Sequence, residues 1–341
     1  MKEQNKLIIN YPSDKNGCGF YRTIIPFSYM SCVKNYETPF LYAFNFDLTY
    51  LERANWIRFQ RQVTQSQKQI IIEYRKMIQS KGFKTKIAYE LDDHVHAIEP
   101  QNILAYQFYT ERRKKNLIEI MNMCDVTTLS TQHLKDYYES EHNVKNIKVV
   151  PNYLPKFLWG NCGKRDKYNK GKKLRILWAG SASHIGKGGD LEFLVPLIQK
   201  THKEFEWVFF GVAPFDIKDK VEFHNWADFY AYPQALDAID ADVAIAPLTD
   251  TEFNYGKSDL KLLEYTALGL PGLFSNLSNK GPYDQHKDVL RLDNNPDNWY
   301  NALKELEDCP EYRIKLLDTQ QKILNSRWLE DNITTYTDIY Q

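Results

Sequence analysis

At 341 residues the chain is long enough for two domains with separate cores, and 43% hydrophobic with 26% charged residues is ordinary globular content. Forty-four basic and forty-four acidic residues cancel, which excludes an obvious polyanion binder while leaving room for a local basic face. No stretch reaches membrane-spanning length, and Met1 to Lys6 runs straight into a strand without a signal peptide. Cys18, Cys32, Cys124, Cys162 and Cys309 are scattered, odd in number and without CxxC spacing, so a reduced cytoplasm with neither a zinc nor a disulfide framework is expected.

In chain order, Lys6–Asn10 reads as a short strand, and the loop to Arg22 contains Gly17 and Gly19, which let a backbone approach a ligand closely. Thr23–Val33 then reads as a helix with Pro26 in its first turn. Strand, glycine loop, helix opens a doubly wound domain, whose ligands bind beyond the carboxyl ends of the strands. The loop lacks GxGxxG spacing and is not an NAD site; a tight turn with Arg22 in a surface ion pair is its plain alternative. Residues 56–81 hold a strand and a helix. Lys86–Glu90 is a strand running into Leu91-Asp92-Asp93-His94-Val95-His96. Carboxylates at that place can take a proton from an acceptor hydroxyl or bond a sugar, and His94 and His96 can stack on or bond a substrate; the alternative is an Asp-capped turn with structural histidines. Residues 107–122 form a helix with a basic cluster at Arg112–Lys115, either solvated or facing phosphate. Strand 125–130, helix 131–138 and the segment Val149-Val-Pro-Asn-Tyr153 close this half.

Gly160–Lys173 is polar and glycine-containing, as a linker is. Leu174–Ala179 is a strand that enters Gly180-Ser-Ala-Ser-His-Ile-Gly-Lys-Gly-Gly189, a turn able to present N–H donors to phosphate before a helix at 190–200. Strands follow at 207–211 and 221–225, then a helix at 232–239. The apolar run Val243–Ala246 is a buried parallel strand. After a polar loop a helix starts with Ser258 as N-cap and ends at Gly269, before Pro271. Leu260, Leu263 and Ala267 give it a buried face; Lys257, Lys261 and Glu264 share another. A helix N-terminus with two lysines suits a diphosphate, and Glu264 can accept from a ribose diol; solvated ion pairs along the helix are the alternative.

The stretch FNYGKSDLKLLEYTALGLP, Phe253 to Pro271, resembles the nucleotide-sugar signature of GT-B glycosyltransferases of the glycogen-synthase-like group. The resemblance extends more weakly over nearly the whole chain. It implies an α/β GT-B architecture of two Rossmann-like, doubly wound domains facing a cleft. Residues 1–160 would form the acceptor side and 172–315 the nucleotide-sugar side, with 316–341 folding back on the first domain. Val-Val-Pro-Asn is similar to the segment where such chains cross between domains. Glu264 falls on the family's ribose contact. Gly256 replaces a family glutamate, and Lys257-Ser258 fits a Lys-Ser variant. In the loop after Gly180, Ser181 replaces the usual arginine, so the basic role implied for that loop passes to Lys187, or to Lys257 or Lys261. GCGFYR is similar to the GxGxYR loop of a subset, many from phages, where it lies near donor diphosphate and acceptor.

These parallels imply an enzyme moving a sugar from a nucleoside diphosphate sugar, UDP-linked, to an acceptor hydroxyl. The expected acceptor is a hydroxylated or hydroxymethylated cytosine in phage DNA, which would place the protein in the host cytoplasm. A surface polysaccharide or glycolipid acceptor is the runner-up and would call for an exposed apolar or basic patch on the first domain. Gly17, Gly19, Gly180, Ser181, Lys187, Lys257, Ser258, Lys261 and Glu264 are assigned to the donor, and Tyr21, Arg22 and His94 to the acceptor. Asp92, Asp93 and His96 are assigned to catalysis, with no metal and no cofactor. If the configuration inverts, Asp93 or Asp92 is the base; the donated sugar and the oligomeric state stay open. The rival readings are a sugar-nucleotide epimerase and a non-catalytic nucleotide-sugar-binding module.

Overall fold

The computed structural model describes residues 5–44, 46, 48, 49, 51–163 and 173–341. Most of the expected linker, residues 164–172, and the first four residues lie outside that set. The described chain forms two six-stranded sheets, every pairing parallel.

The first sheet comprises β1 (Lys6–Tyr11), β2 (Tyr36–Glu37), β3 (Trp56–Gln60), β4 (Lys86–Leu91), β5 (Val126–Leu129) and β6 (Ile147–Val149). Its order is β2-β1-β3-β4-β5-β6. The second comprises β7 (Arg175–Gly180), β8 (Glu206–Gly211), β9 (Glu222–Asn225), β10 (Val243–Ala246), β11 (Gly272–Ser275) and β12 (Arg291–Leu292), ordered β12-β11-β10-β7-β8-β9. Central strands such as β3 and β10 are buried at every residue, as sheets covered on both faces require. The strand order reverses between β1 and β3 and again between β7 and β10. Each reversal leaves a crevice at the strands' carboxyl ends, where doubly wound sheets bind ligands.

One apolar core fills the outer face of each half. A third runs between them, joining Ile8, Phe20 and Trp56 to Leu177, Leu263 and Tyr265. The C-terminal segment returns to the first half. Leu154 pairs with Trp328 in an isolated parallel bridge, and Tyr340 packs on Trp56 and Phe27 while accepting from Arg58 Nε at 3.0 Å. No disulfide joins the cysteines among the described residues, and no helix of these residues is long and apolar enough to cross a membrane.

Three local expectations change. The glycine loop before Arg22 is helical: a turn at Gly17–Gly19 passes through a π-helical stretch, Phe20–Ile24, into the helix Ile25–Val33. Pro26 has no N–H for the Arg22 carbonyl, and Arg58 donates to that oxygen instead at 3.1 Å. The helix expected over 190–200 is a 3-10 turn, Glu192–Leu194, followed by Val195–Thr201. The signature helix spans Leu260–Ala267, with Asp259 rather than Ser258 at its N-cap. No side chain caps it, because the Asp259 carboxylate is held by Arg327 and His286.

Candidate active site

The two crevices face one another across a cavity of about 770 Å³. Gly17, Tyr21, Arg22, Asp92, Asp93, Gly180, Ser181, Lys257, Ser258, Lys261 and Glu264 line it, so eleven of the expected residues meet there although they come from both halves of the chain.

On the first-half wall, Asp14 Oδ1 accepts from the backbone N–H of Asn16 (2.7 Å) and Gly19 (3.2 Å), tying the helix start to the end of β1. A Cβ at Gly19 would lie 1.9 Å from the Asp14 carbonyl oxygen, so this glycine serves backbone packing; it does not line the cavity. Arg22 is 2% exposed and turns inward. Its Nε donates to Glu90 at 2.9 Å and its NH1 to the Val150 carbonyl and Asn152 Oδ1. The ion pair weighed as the alternative role for Arg22 is made, but buried, and the guanidinium is committed within the protein. Arg58 donates to the same Glu90 carboxylate. From Arg22 the network crosses to the second half: Asn152 Nδ2 donates to Ser258 Oγ at 2.7 Å.

Asp92 and Asp93 share one partner that the sequence did not point to. Arg61, just beyond β3, donates to both carboxylates while its backbone sits at φ 61°, the left-handed region that non-glycine residues rarely adopt. Burial is the largest influence on Asp92 and raises its pKa against the pull of Arg61. Burial also opposes ionisation of Asp93, but Arg61 and then Lys257 outweigh it and the pKa falls. Two neighbouring carboxylates are thus driven apart. Cys18 Sγ lies within 4.8 Å of both, yet burial pushes its thiol well up, and Arg61 already holds the carboxylates. That trio is a poor cation ligand.

His94 and His96 leave the cleft. His94 packs on Tyr137 with ring centroids 4.1 Å apart, and burial holds it down to about 4. His96 Nδ1 lies 3.1 Å from the Tyr138 hydroxyl, and burial, with His142 beside it, holds it down to about 3. Neither lines the cavity. The turn after β4 carries its carboxylates to one side and its imidazoles to the other.

On the second-half wall, Lys261 Nζ donates to Glu264 Oε2 at 2.7 Å and to the Tyr232 hydroxyl at 3.0 Å. Burial opposes its charge, but Glu264 more than compensates. Tyr21 reaches across from the first half; burial and, second, the charge of Glu264 raise its hydroxyl pKa well above the usual value. Lys257 makes no ion pair among the described residues and rests 5.3 Å from the Phe253 ring. Among the described residues it is the uncommitted lysine of the cavity.

The turn after Gly180 contributes an unexpected residue. His184 lines the cavity, and its Nδ1 lies 2.6 Å from Asp190 Oδ2. Asp190 is 5% exposed and also accepts from the Thr249 N–H, the Thr249 hydroxyl and Asn254 Nδ2. Its pKa falls despite burial, chiefly through His184 and Lys257, while burial and then Lys257 lower that of His184. Lys187, the basic residue expected here, lies outside the main cavity and lines a neighbouring one of about 40 Å³. His184 was legible in the same turn, six residues before Asp190. Arg61 was missed; the signal that could have found it is its place directly after β3, at the same end of the sheet as Asp92 after β4.

Gly256, where the glutamate was missing, abuts the other half. A Cβ there would lie 2.8 Å from His94 Cβ and 3.0 Å from Leu134 Cδ2, and Thr131 Oγ1 donates to its carbonyl at 3.3 Å. A larger side chain has no room in this arrangement.

No protein-family model matches the sequence, and none of the curated proteins does. Solved structures match over most or nearly all of the chain. A sucrose-phosphate synthase from Thermosynechococcus elongatus is similar with a TM-score of 0.67 at 12% identity, covering 98% of each chain. The chain has the GT-B fold. An E. coli trehalose-6-phosphate structure bound with UDP-2-fluoro glucose matches this GT-B chain with a TM-score of 0.57 at 12% identity, covering 84% of it and 73% of the neighbour. S. aureus TarM, in complex with fondaparinux, alpha-GlcNAc-glycerol and UDP, matches at 0.54 and 12%, with 84% of this chain spanning 55% of TarM. The two crevices with opposed strand reversals are the GT-B arrangement, and the cavity lies between its halves.

Proposed function

We propose that the protein is a glycosyltransferase that moves a sugar from a nucleoside diphosphate sugar, UDP-linked, to an acceptor hydroxyl. The observation that carries the reading is the cavity between two strand-reversal crevices, with Lys257, Lys261 and Glu264 on one wall and two carboxylates of opposite pKa shift on the other. UDP and UDP-2-fluoro glucose in the similar structures support the donor class.

In this reading the leaving diphosphate lies at the N-terminus of the helix Leu260–Ala267. Its N–H groups and Lys257 meet the charge that builds on the leaving oxygen, the kind of fixed electrostatic help that dominates such reactions. Glu264, held by Lys261, accepts from ribose hydroxyls. His184, with its Nδ1–H given to Asp190, keeps Nε2 for a sugar hydroxyl. If the configuration inverts, Asp92 is the better base, because burial raises its proton affinity whereas Arg61 and Lys257 lower that of Asp93.

For the acceptor, the likeness of GCGFYR to the phage subset supports a hydroxylated or hydroxymethylated cytosine in DNA. One observation favours the second reading, a lipid-linked or surface saccharide. Ile103, Leu104, Tyr106 and Phe108 are exposed on one short helix of the first half, Leu104 to 84%, directly before the basic run Arg112–Lys115. Apolar side chains beside basic ones suit a membrane interface.

The test is release of nucleoside diphosphate from a panel of UDP-, GDP- and ADP-sugars, offered with hydroxymethylcytosine DNA or with lipid-linked saccharide in vesicles. Release from a UDP-sugar that requires one acceptor supports the enzyme reading and selects that acceptor. Absence of donor binding across the panel overturns the assignment.

A further inference from the structure

The turn that brings Asp92 and Asp93 to the cleft sends His94 into a second junction between the halves. His94 is 1% exposed, and neither of its ring nitrogens has a hydrogen-bond partner among the described residues. Buried polar atoms are rarely left so. Facing it are His133, on the helix Gln132–His142 of the same half, and Glu252, on the helix Glu252–Tyr255 of the other. Glu252 Oε1 lies 3.1 Å from His133 Nε2 and 3.7 Å from His94 Nε2. One ligand atom from each of the three side chains falls within 4.8 Å of the others.

The longer separation is too great for a hydrogen bond but suits two ligands of one ion. Metal–ligand bonds of about 2.0–2.1 Å in a tetrahedral site place neighbouring ligand atoms roughly 3.3–3.4 Å apart. The two separations bracket that edge, and two imidazoles with a carboxylate match zinc and its neighbours among divalent metals. The side chains of His133 and Glu252 are 28% and 52% exposed, which gives an ion a path in and a fourth ligand from solvent. The Cys18, Asp92 and Asp93 trio lacks this character, since Arg61 holds its carboxylates.

We propose that His94, His133 and Glu252 bind one divalent cation of the zinc class, which ties the first half of the fold to the second. The assignment stands apart from the glycosyltransferase reading. It departs from the expectation of no metal, which CxxC spacing alone could not test, because these side chains come from three separated segments. Gly256, packed against His94 in the same junction, keeps the two surfaces close enough for Glu252 to reach.

Co²⁺ titration of the full chain, followed by visible absorption and then by Zn²⁺ displacement, tests it. The expected result is one equivalent bound with the strong bands of a low-coordinate site. His133→Ala and Glu252→Ala should each weaken binding at least a hundredfold with unchanged circular dichroism, and Cys18→Ser should have no effect. Because both substituted side chains are partly exposed, these variants separate ligand loss from misfolding better than His94→Ala. Absence of stoichiometric binding overturns the proposal. So does binding that persists in both variants, or binding lost in Cys18→Ser instead.

Discussion

The two walls of the cleft handle charge in opposite ways. At and behind the first wall the charges are closed: Arg22 and Arg58 converge on Glu90, and Arg61 holds Asp92 and Asp93. On the second wall Lys261 is matched by Glu264, but Lys257 stands free among the described residues. A wall of closed pairs fixes geometry, whereas a wall with an uncommitted cation attracts an anion. In the proposed reading the first wall positions the acceptor and the second binds the diphosphate.

The sharpest way to break this contrast is Glu90→Gln, which leaves two buried guanidinium groups without their carboxylate. Loss of one partner of a buried pair costs about 3–5 kcal/mol. The urea midpoint should fall accordingly, with no loss of donor affinity in the protein that remains folded. Lys257→Ala should do the reverse. Its folding should change little, while turnover falls roughly 10²-fold, the scale of one removed transition-state donor. Diphosphate release kinetics measure this.

Asp259→Asn tests the anchor at the start of the helix Leu260–Ala267 through pH. Burial raises the Asp259 pKa, but the hydrogen bond from His286 and the charge of Arg327 outweigh it, so the folded value lies below the ordinary one. A depressed carboxylate contributes stability above its unfolded pKa of about 3.9 and loses it as pH falls through the folded value. The wild-type unfolding midpoint should therefore drop more steeply below pH ~4 than that of the variant. Gly256→Ala, which overpacks the junction at His94, should cost about 1–3 kcal/mol, seen as a lower melting temperature. Lys187→Ala should change turnover least, less than about twofold, since side chains away from a site usually have small effects. A large loss there would move the diphosphate toward the smaller cavity.

Much of this was written in local patterns. Val243–Ala246 is apolar at every position, as a strand covered on both faces must be, and β10 follows it. Lys257, Lys261 and Glu264 were grouped by helical spacing, and all three line the cavity. Acidic residues at the end of β4 followed from where doubly wound sheets bind. Other features were not local. Gly17–Gly19 read as a loop because glycine and proline punctuate sequences, but Arg58 supplies the donor that Pro26 lacks and the helix continues.

The sequence by itself determined two α/β halves and the residue types at the ends of their strands, because burial and strand polarity leave a periodic trace. Only the tertiary structure decided which charges are closed and which are free. Arg22 reaches Glu90 across 68 positions, and Asp259 meets Arg327 across another 68. His94 meets Glu252 only where the halves touch. Pairing of charges depends on distance in space, and at such separations no sequence period carries it.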